Sequence, residues 1–147
     1  MSAFKFKIVV VSGGFAPLHV GHIRYLNEAK KLGDYLVVIL NSDDFLMKKK
    51  GFTFMVFEER YEILSYLRCV DLIIKCVDID QTVCESLRLL KECLGDTAEI
   101  IFAKGGDRTI ENVPEKEICE KLGIQMVFNV GGQKVQSSSD LLKKIIN

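Results

Sequence analysis

The stretch that decides the fold is Ile8-Val9-Val10-Val11-Ser12-Gly13-Gly14-Phe15-Ala16-Pro17-Leu18-His19-Val20-Gly21-His22. Ile8–Val11 is a run of β-branched residues, the composition of a strand buried on both faces. Gly13 and Gly14 end the run, and a helix is expected to open near Gly21. A glycine-rich turn leading into a helix start gathers bare N–H groups and the positive end of the helix dipole at one spot, which suits a phosphate. His19 and His22 stand three apart and can face the same side. Gly21 between them leaves room for a phosphate against the backbone. The chain has only 2 histidines, and both lie here. That concentration after a strand favours function over a structural role. His-x-x-His is an unusual zinc spacing with no third ligand nearby, so phosphate is preferred to metal and no metal ligand is assigned.

Working outward, further apolar runs at Tyr35–Leu40, Leu72–Ile74, Ile100–Ala103 and Met126–Val130 read as buried strands. Helical spacing lies between them. Ile23, Leu26, Ala29 and Leu32 form a stripe with Gly33 as its stop. Tyr61, Leu64, Tyr66 and Leu67 belong to a helix beginning near Phe57. Val83, Leu87, Leu90 and Leu94 form another, ended by Gly95. Pro114 suits the first turn of a fourth that ends at Leu122-Gly123. Ser139 is placed to cap a last helix carrying Leu141, Leu142, Ile145 and Ile146. Strand–helix alternation, about five times over, predicts an α/β fold: a doubly wound, Rossmann-like parallel sheet of five strands with helices on both faces and right-handed crossovers. Ligands of such sheets bind beyond the carboxyl ends of the strands. With no repeat, linker or low-complexity tract, residues 1–147 are expected to form one domain.

Composition narrows the function. Twenty basic residues balance 20 acidic ones, so a global electrostatic grip on nucleic acid is not expected. No apolar run reaches the roughly 18 residues of a membrane span, and Lys5 and Lys7 interrupt any signal-peptide core. The expected location is cytoplasmic. The 5 cysteines, Cys69, Cys76, Cys84, Cys93 and Cys119, form no Cys-x-x-Cys pair and read as small thiols packed among apolar residues. A redox or metal protein is the least favoured reading.

Gly14–His22 resembles the HxGH signature of the cytidylyltransferase-like nucleotidyltransferases. Further stretches are similar to that family in the same order: Ala29–Val38, Asn41-Ser42-Asp43, the lysine run Lys48-Lys49-Lys50-Gly51, Phe57-Glu58-Glu59-Arg60, Leu67-Arg68-Cys69-Val70-Asp71, Lys104-Gly105-Gly106-Asp107 and Gln136-Ser137-Ser138-Ser139. The branches most alike by motif are the glycerol-3-phosphate and ethanolamine-phosphate cytidylyltransferases and the heptose-1-phosphate adenylyltransferases. Two departures stand out. Ala16 occupies the place of the family's usual Asp, and Gly132-Gln133-Lys134-Val135 replaces an Arg-Thr-Glu-Gly stretch.

The resemblance implies transfer of a nucleoside monophosphate from CTP, or alternatively ATP, to a phosphorylated polyol, amino alcohol or sugar, with release of pyrophosphate. CTP is the first expectation on the whole-chain pattern, while Lys104-Gly105-Gly106-Asp107 pulls toward ATP. The acceptor phosphate is already an anion, so the barrier lies in positioning and charge rather than in a general base. His19, His22, Lys49 and Arg68 are the expected catalytic residues. Gly13, Gly14, Phe15, Gly21, Lys48, Lys50, Lys104, Gly105, Asp107, Ser137, Ser138 and Ser139 are the expected nucleotide contacts. Lys48–Lys50 are read as a mobile loop closing over the triphosphate, with a solvated loop as the plain alternative. Arg60 is read as pairing with Glu58 or Glu59 on its own helix. Magnesium is expected with the nucleotide. The resemblance also implies a homodimer. A nucleotide-binding module disabled at Ala16 is the competing reading.

Overall fold

Each apolar run becomes a strand in the computed structural model, which describes residues 5–106, 113–132 and 138–146. In chain order the elements are β1 (Phe6–Gly13), α1 (Val20–Lys30), β2 (Tyr35–Leu40), α2 (Asp43–Lys50), α3 (Phe57–Ser65), β3 (Leu72–Lys75), α4 (Cys84–Leu94), β4 (Ala98–Gly105), α5 (Lys116–Leu122), β5 (Gln125–Val130) and α6 (Ser138–Ile146).

The five strands form one parallel sheet in the order β3-β2-β1-β4-β5. β1 lies at its centre, with Ile8 beside Tyr35 on one flank and Ile100 on the other. Side chains of successive residues point to opposite faces, and both faces are covered, which is why β1 is apolar without alternation. Ile8, Val10, Val37, Ile39, Ile100 and Phe102 pack with Leu87 of α4 and Cys119 of α5. Val9, Val11, Leu36, Val38, Leu40 and Ile73 pack on the other face with Leu26 and Ala29 of α1 and Leu64 of α3. Val9, Val10 and Val11 are fully buried, and each such side chain contributes about 1.5–3 kcal/mol relative to exposure. The chain winds β1→β2→β3 to one side and then crosses to β4 and β5 on the other. β1 and β4 therefore bound the switch point, and a crevice opens beyond their carboxyl ends.

Four local expectations are corrected. Residues 43–50 form helix α2 rather than a strand exit running into a lysine loop. Ser42 Oγ accepts from Phe45 N at 3.0 Å, Asp43 and Asp44 sit in the first turn, and three lysines fill the last. That charge order follows the helix dipole, and Gly51 closes the helix at φ 83°. The inward stripe of α3 is set by Leu64 and Arg60, both buried, while Tyr61 and Tyr66 are exposed. Gly33 does not act as a left-handed stop, since α1 ends on Lys31 in right-handed geometry. A Cβ on Gly33 would lie 2.7 Å from Lys7 O and 2.8 Å from Val9 Cγ2, so this turn needs glycine because it crosses β1 at close range. α6 begins at Ser138, which puts Ser139 inside the first turn rather than at the cap.

The amino edge of the sheet is tied by Asp71. Its Oδ2 accepts from Leu36 N at 2.7 Å and pairs with Lys30 Nζ. Partial burial pushes the Asp71 carboxyl up, but the hydrogen bonds from Lys30 and Leu36 outweigh it and hold it below the ordinary carboxylate value.

Candidate active site

β1 delivers Gly13 to the carboxyl edge, where Asn41 N donates to Gly13 O at 2.9 Å. A Cβ on Gly14 would fall 2.8 Å from Leu46 Cδ2, and one on Gly13 would fall 3.1 Å from the Phe15 ring. A side chain at Gly14 would require Leu46 to shift, and one at Gly13 would press on the Phe15 ring. Phe15 turns back at φ 52° and buries its ring in the α1 face of the core. Its side chain packs beneath the loop. The ring meets His22 edge-on, with centroids 4.9 Å apart.

His19 is the N-cap of α1, and the two histidines cap the helix reciprocally. His19 Nδ1 accepts from Gly21 N at 3.1 Å, and His22 Nδ1 accepts from His19 N at 3.2 Å. This is a capping box built from imidazoles. An acceptor Nδ1 cannot carry the proton, so each neutral ring carries it on Nε2. The rings stack at 3.8 Å between centroids. The head of α1 thus holds two fixed imidazoles, the Nε2 of His19 buried, at the positive end of the helix dipole. Such an arrangement can hold phosphate oxygens and oppose negative charge that grows on them.

Arg60 builds the floor. Its side chain is fully buried, against the expectation of a surface pair with Glu58 or Glu59. Nη1 donates to Asn41 O at 2.7 Å and Gly14 O at 3.1 Å, Nε donates to Met55 O at 2.8 Å, and Nη2 pairs with Asp43 Oδ1 at 2.9 Å. One guanidinium therefore joins the exits of β1 and β2 to the first turn of α2 and to the connection that follows it. Rigid, multidentate geometry of this kind is particular to arginine. A sequence signal existed: Phe57, Arg60, Leu64 and Leu67 have 3-4-3 helical spacing, with Arg60 on the inward stripe.

Across β1 from the histidines, on the α4 and α5 face, lies a pocket of about 120 Å³. Lys49, Lys104, Gln81, Thr82 and Glu115 contribute to its wall, with Gly13 at its rim. Lys49 comes from the last turn of α2 and Lys104 from the end of β4. Glu115 is buried; its Oε2 accepts from Val83 N at 3.3 Å and its Oε1 lies 4.0 Å from Lys104 Nζ. Gln81 and Thr82 are carried by a loop that sequence reading left without a role. Asp78 anchors that loop by accepting from Glu85 N at 2.6 Å and from Ser86 N at 2.9 Å. Asp80 Oδ1 accepts from Thr82 N and Oγ1, and the Thr82 hydroxyl is the main reason its carboxyl lies below the ordinary range. Beneath the pocket the Cys119 thiol is pushed up to about 12, first by burial and then by the Glu115 carboxylate.

The structure thus brings His19, His22, Gly13, Gly14 and Gly21 to the head of α1, and Lys49 and Lys104 to the pocket beside it. Lys48 is exposed and Lys50 half-buried at the end of the same helix. Gly105 sits at the end of β4 against the Tyr25 ring, 3.0 Å from where its Cβ would be. Arg68 is not brought to the site. It precedes β3, exposed, at the amino edge of the sheet, whereas the histidines follow the carboxyl end of β1. A parallel sheet cannot place the two ends of its strands together, so Arg68 lies away from the histidines of its own chain. Asp107 and Ser137 lie outside the described residues, as do the side chains of Ser138 and Ser139. Among the described residues no cluster of three or more His, Cys, Asp or Glu is placed to hold a metal, and no helix is long and apolar enough to cross a membrane.

Known proteins share this sequence and fold. The family model described as cytidylyltransferase-like matches residues 10–143. The chain is 37% identical over 145 residues to the bifunctional protein HldE of Citrifermentans bemidjiense, which covers 96% of this chain and 27% of that protein. It is 36% identical over 142 residues to the HldE of Cronobacter sakazakii, at 95% and 28% coverage. This chain therefore spans only about a quarter of the length of those curated relatives. Among solved structures, a lipopolysaccharide core biosynthesis protein from Thermoplasma volcanium superposes with a TM-score of 0.66 at 28% identity, covering 84% of this chain and 96% of the other. A nicotinate-nucleotide adenylyltransferase of Vibrio parahaemolyticus, a putative one by its description, shares the fold with a TM-score of 0.64 at 17% identity, covering 97% and 88%. The five-stranded parallel sheet and a family match over residues 10–143 agree: this chain belongs to the cytidylyltransferase-like family.

Proposed function

We propose that the protein transfers AMP from ATP to the phosphate of a sugar phosphate and releases pyrophosphate. The observation that carries this reading is the reciprocal cap of His19 and His22, which fixes both imidazoles at the head of α1. An oxygen of the acceptor phosphate attacks the α-phosphorus, a P–O bond forms, and the bond from the α-phosphorus to the bridging oxygen breaks. The electron pair leaves with pyrophosphate. No proton need be taken from the nucleophile. The work of the protein is positioning and charge stabilisation. His19 and His22 donate to oxygens of the triphosphate, the first turn of α1 receives the same anion, and Lys49 and Lys104 supply positive charge from the other flank of β1.

ATP replaces CTP as the favoured donor. Similarity to HldE proteins extends over 95–96% of the chain, and Lys104-Gly105-Gly106-Asp107 resembles the adenylyltransferase branch. A sugar phosphate as acceptor accords with that branch and with the structural relative from lipopolysaccharide core biosynthesis. Magnesium arrives with the triphosphate as part of the substrate, which suits a described site without a carboxylate cluster and with apolar Ala16 buried beside the loop. The reading includes a single domain over residues 1–147, a cytoplasmic location and a homodimer, the last testable by light scattering.

The test is pyrophosphate release with ATP or CTP, magnesium and a panel of phosphorylated acceptors. Turnover with ATP and a sugar 1-phosphate is expected. Turnover with CTP and a polyol phosphate alone would return the donor to CTP. Nucleotide binding without turnover on any acceptor would make the protein a binding module.

A further inference from the structure

We infer that the pocket between Lys49, Lys104 and Glu115 is the acceptor subsite, and that the Glu115 carboxylate selects a phosphate ester carrying free hydroxyl groups. The inference rests on the transferase reading above and names the recognition chemistry of its second substrate.

Glu115 is the unusual element. Its side chain is 5% exposed, yet it lies in the wall of a cavity that also receives two lysines. A carboxylate beside a polyphosphate would repel it, so a pocket serving only the triphosphate gains nothing from this residue. A buried carboxylate is instead a strong acceptor for neutral O–H donors. Oε2 is engaged by Val83 N, while Oε1 stands 4.0 Å from Lys104 Nζ, beyond hydrogen-bond range. A ligand hydroxyl can therefore bind there without displacing the backbone contact. Gln81 and Thr82 add further side-chain polar groups on the neighbouring wall. The ligand that matches cations and a hydroxyl acceptor together is a phosphorylated polyhydroxy compound.

Placement supports the same assignment. In-line displacement needs nucleophile and leaving group on opposite sides of the phosphorus. The imidazoles lie over the Phe15 face of the sheet, and the pocket lies over the Phe45 and Val83 face, with Gly13 in its wall at the end of β1. An α-phosphate above the glycines can then meet the acceptor from the pocket side while pyrophosphate departs toward the histidines.

The experiment is calorimetric titration of the whole chain with mannose 1-phosphate and with methyl phosphate, each with and without the α,β-methylene analogue of ATP. The wild type is expected to bind the sugar phosphate about tenfold or more tightly than methyl phosphate. In Glu115→Gln the amide oxygen still accepts from Val83 N, so the fold is kept. The preference should collapse toward unity, with methyl phosphate bound as well as before or better and the ATP analogue unaffected. Lys104→Met should weaken both phosphates together. An unchanged preference in Glu115→Gln, or no wild-type preference, overturns the inference. So does a loss confined to the ATP analogue, which would assign Glu115 to the nucleobase. A Glu115-dependent preference without pyrophosphate release on any acceptor would keep the subsite and overturn the transferase reading instead.

Discussion

The Arg60 guanidinium donates to the Gly14 carbonyl at 3.1 Å, so helix α3 supports from below the loop that carries the histidines. The same Nη1 reaches Asn41 O at 2.7 Å. Arg60→Met should therefore leave the carbonyls of Gly14, Asn41 and Met55 and the Asp43 carboxylate without their donor. A loss of about 3–5 kcal/mol is expected in urea unfolding, the usual cost of breaking a buried ionic network. Arg60→Lys should recover only part of it, because one ammonium cannot span three carbonyls and a carboxylate.

His19 serves both as a cap and as a donor, and the two roles can be separated. Asn is an excellent N-cap residue whose Oδ1 can accept from Gly21 N. His19→Asn should keep the melting temperature within a few degrees yet reduce kcat for pyrophosphate release by about 10²- to 10³-fold, the loss typical of one transition-state donor. His19→Ala should lose both activity and about 1 kcal/mol of stability. A His19→Asn enzyme with full activity would remove the imidazole from the chemistry.

Arg68 provides a negative control. It is exposed at the amino edge of the sheet, so Arg68→Ala should change KM and kcat by no more than about twofold and stability by about 0.5 kcal/mol. A large kinetic loss with an intact fold would mean that the residue reaches the site of a second copy.

Acid stability should carry the signature of Asp71. Its carboxyl is held below the ordinary value of 3.8 in the folded chain. A depressed folded-state value stabilises the protein above the unfolded value, and that stabilisation fades as pH falls through the folded one. Urea midpoints measured from pH 6 to pH 2 should fall less steeply below pH 4 in Asp71→Asn than in wild type, from a lower starting stability.

Thiol reactivity should divide by burial. Cys93 is exposed, Cys76 and Cys119 are buried, and the Cys119 thiol is pushed up to about 12. Iodoacetamide at pH 8, followed by mass spectrometry, should label Cys93 first in the native state and Cys119 only on unfolding.

The sheet was legible in the sequence because burial on both faces forces unbroken Val/Ile runs, and Ile8–Val11 and Tyr35–Leu40 could be little else. The head of α1 was legible because two histidines three apart after a glycine turn have few structural explanations. Helix α2 was not, since its stability rests on a cap at Ser42 and on end charges rather than on an apolar stripe. Arg60 was missed because charge suggests solvent, and only the surrounding carbonyls, which come from three separate segments, make burial favourable. Glu115 could not be located at all from sequence, because its partner Val83 stands 32 residues away. The place of Arg68 at the amino edge was not legible because motif order along the chain does not say which end of a strand a residue occupies.

The reciprocal imidazole cap has a consequence for the cost of reaching the transition state. The backbone hydrogen bonds that start α1 are the same bonds that orient both rings, so forming the helix and aiming the donors are a single event. Both imidazoles are held in one orientation before substrate arrives. The energy that would otherwise be spent on ordering the donors has already been supplied by folding, which leaves substrate binding free to order the substrates themselves.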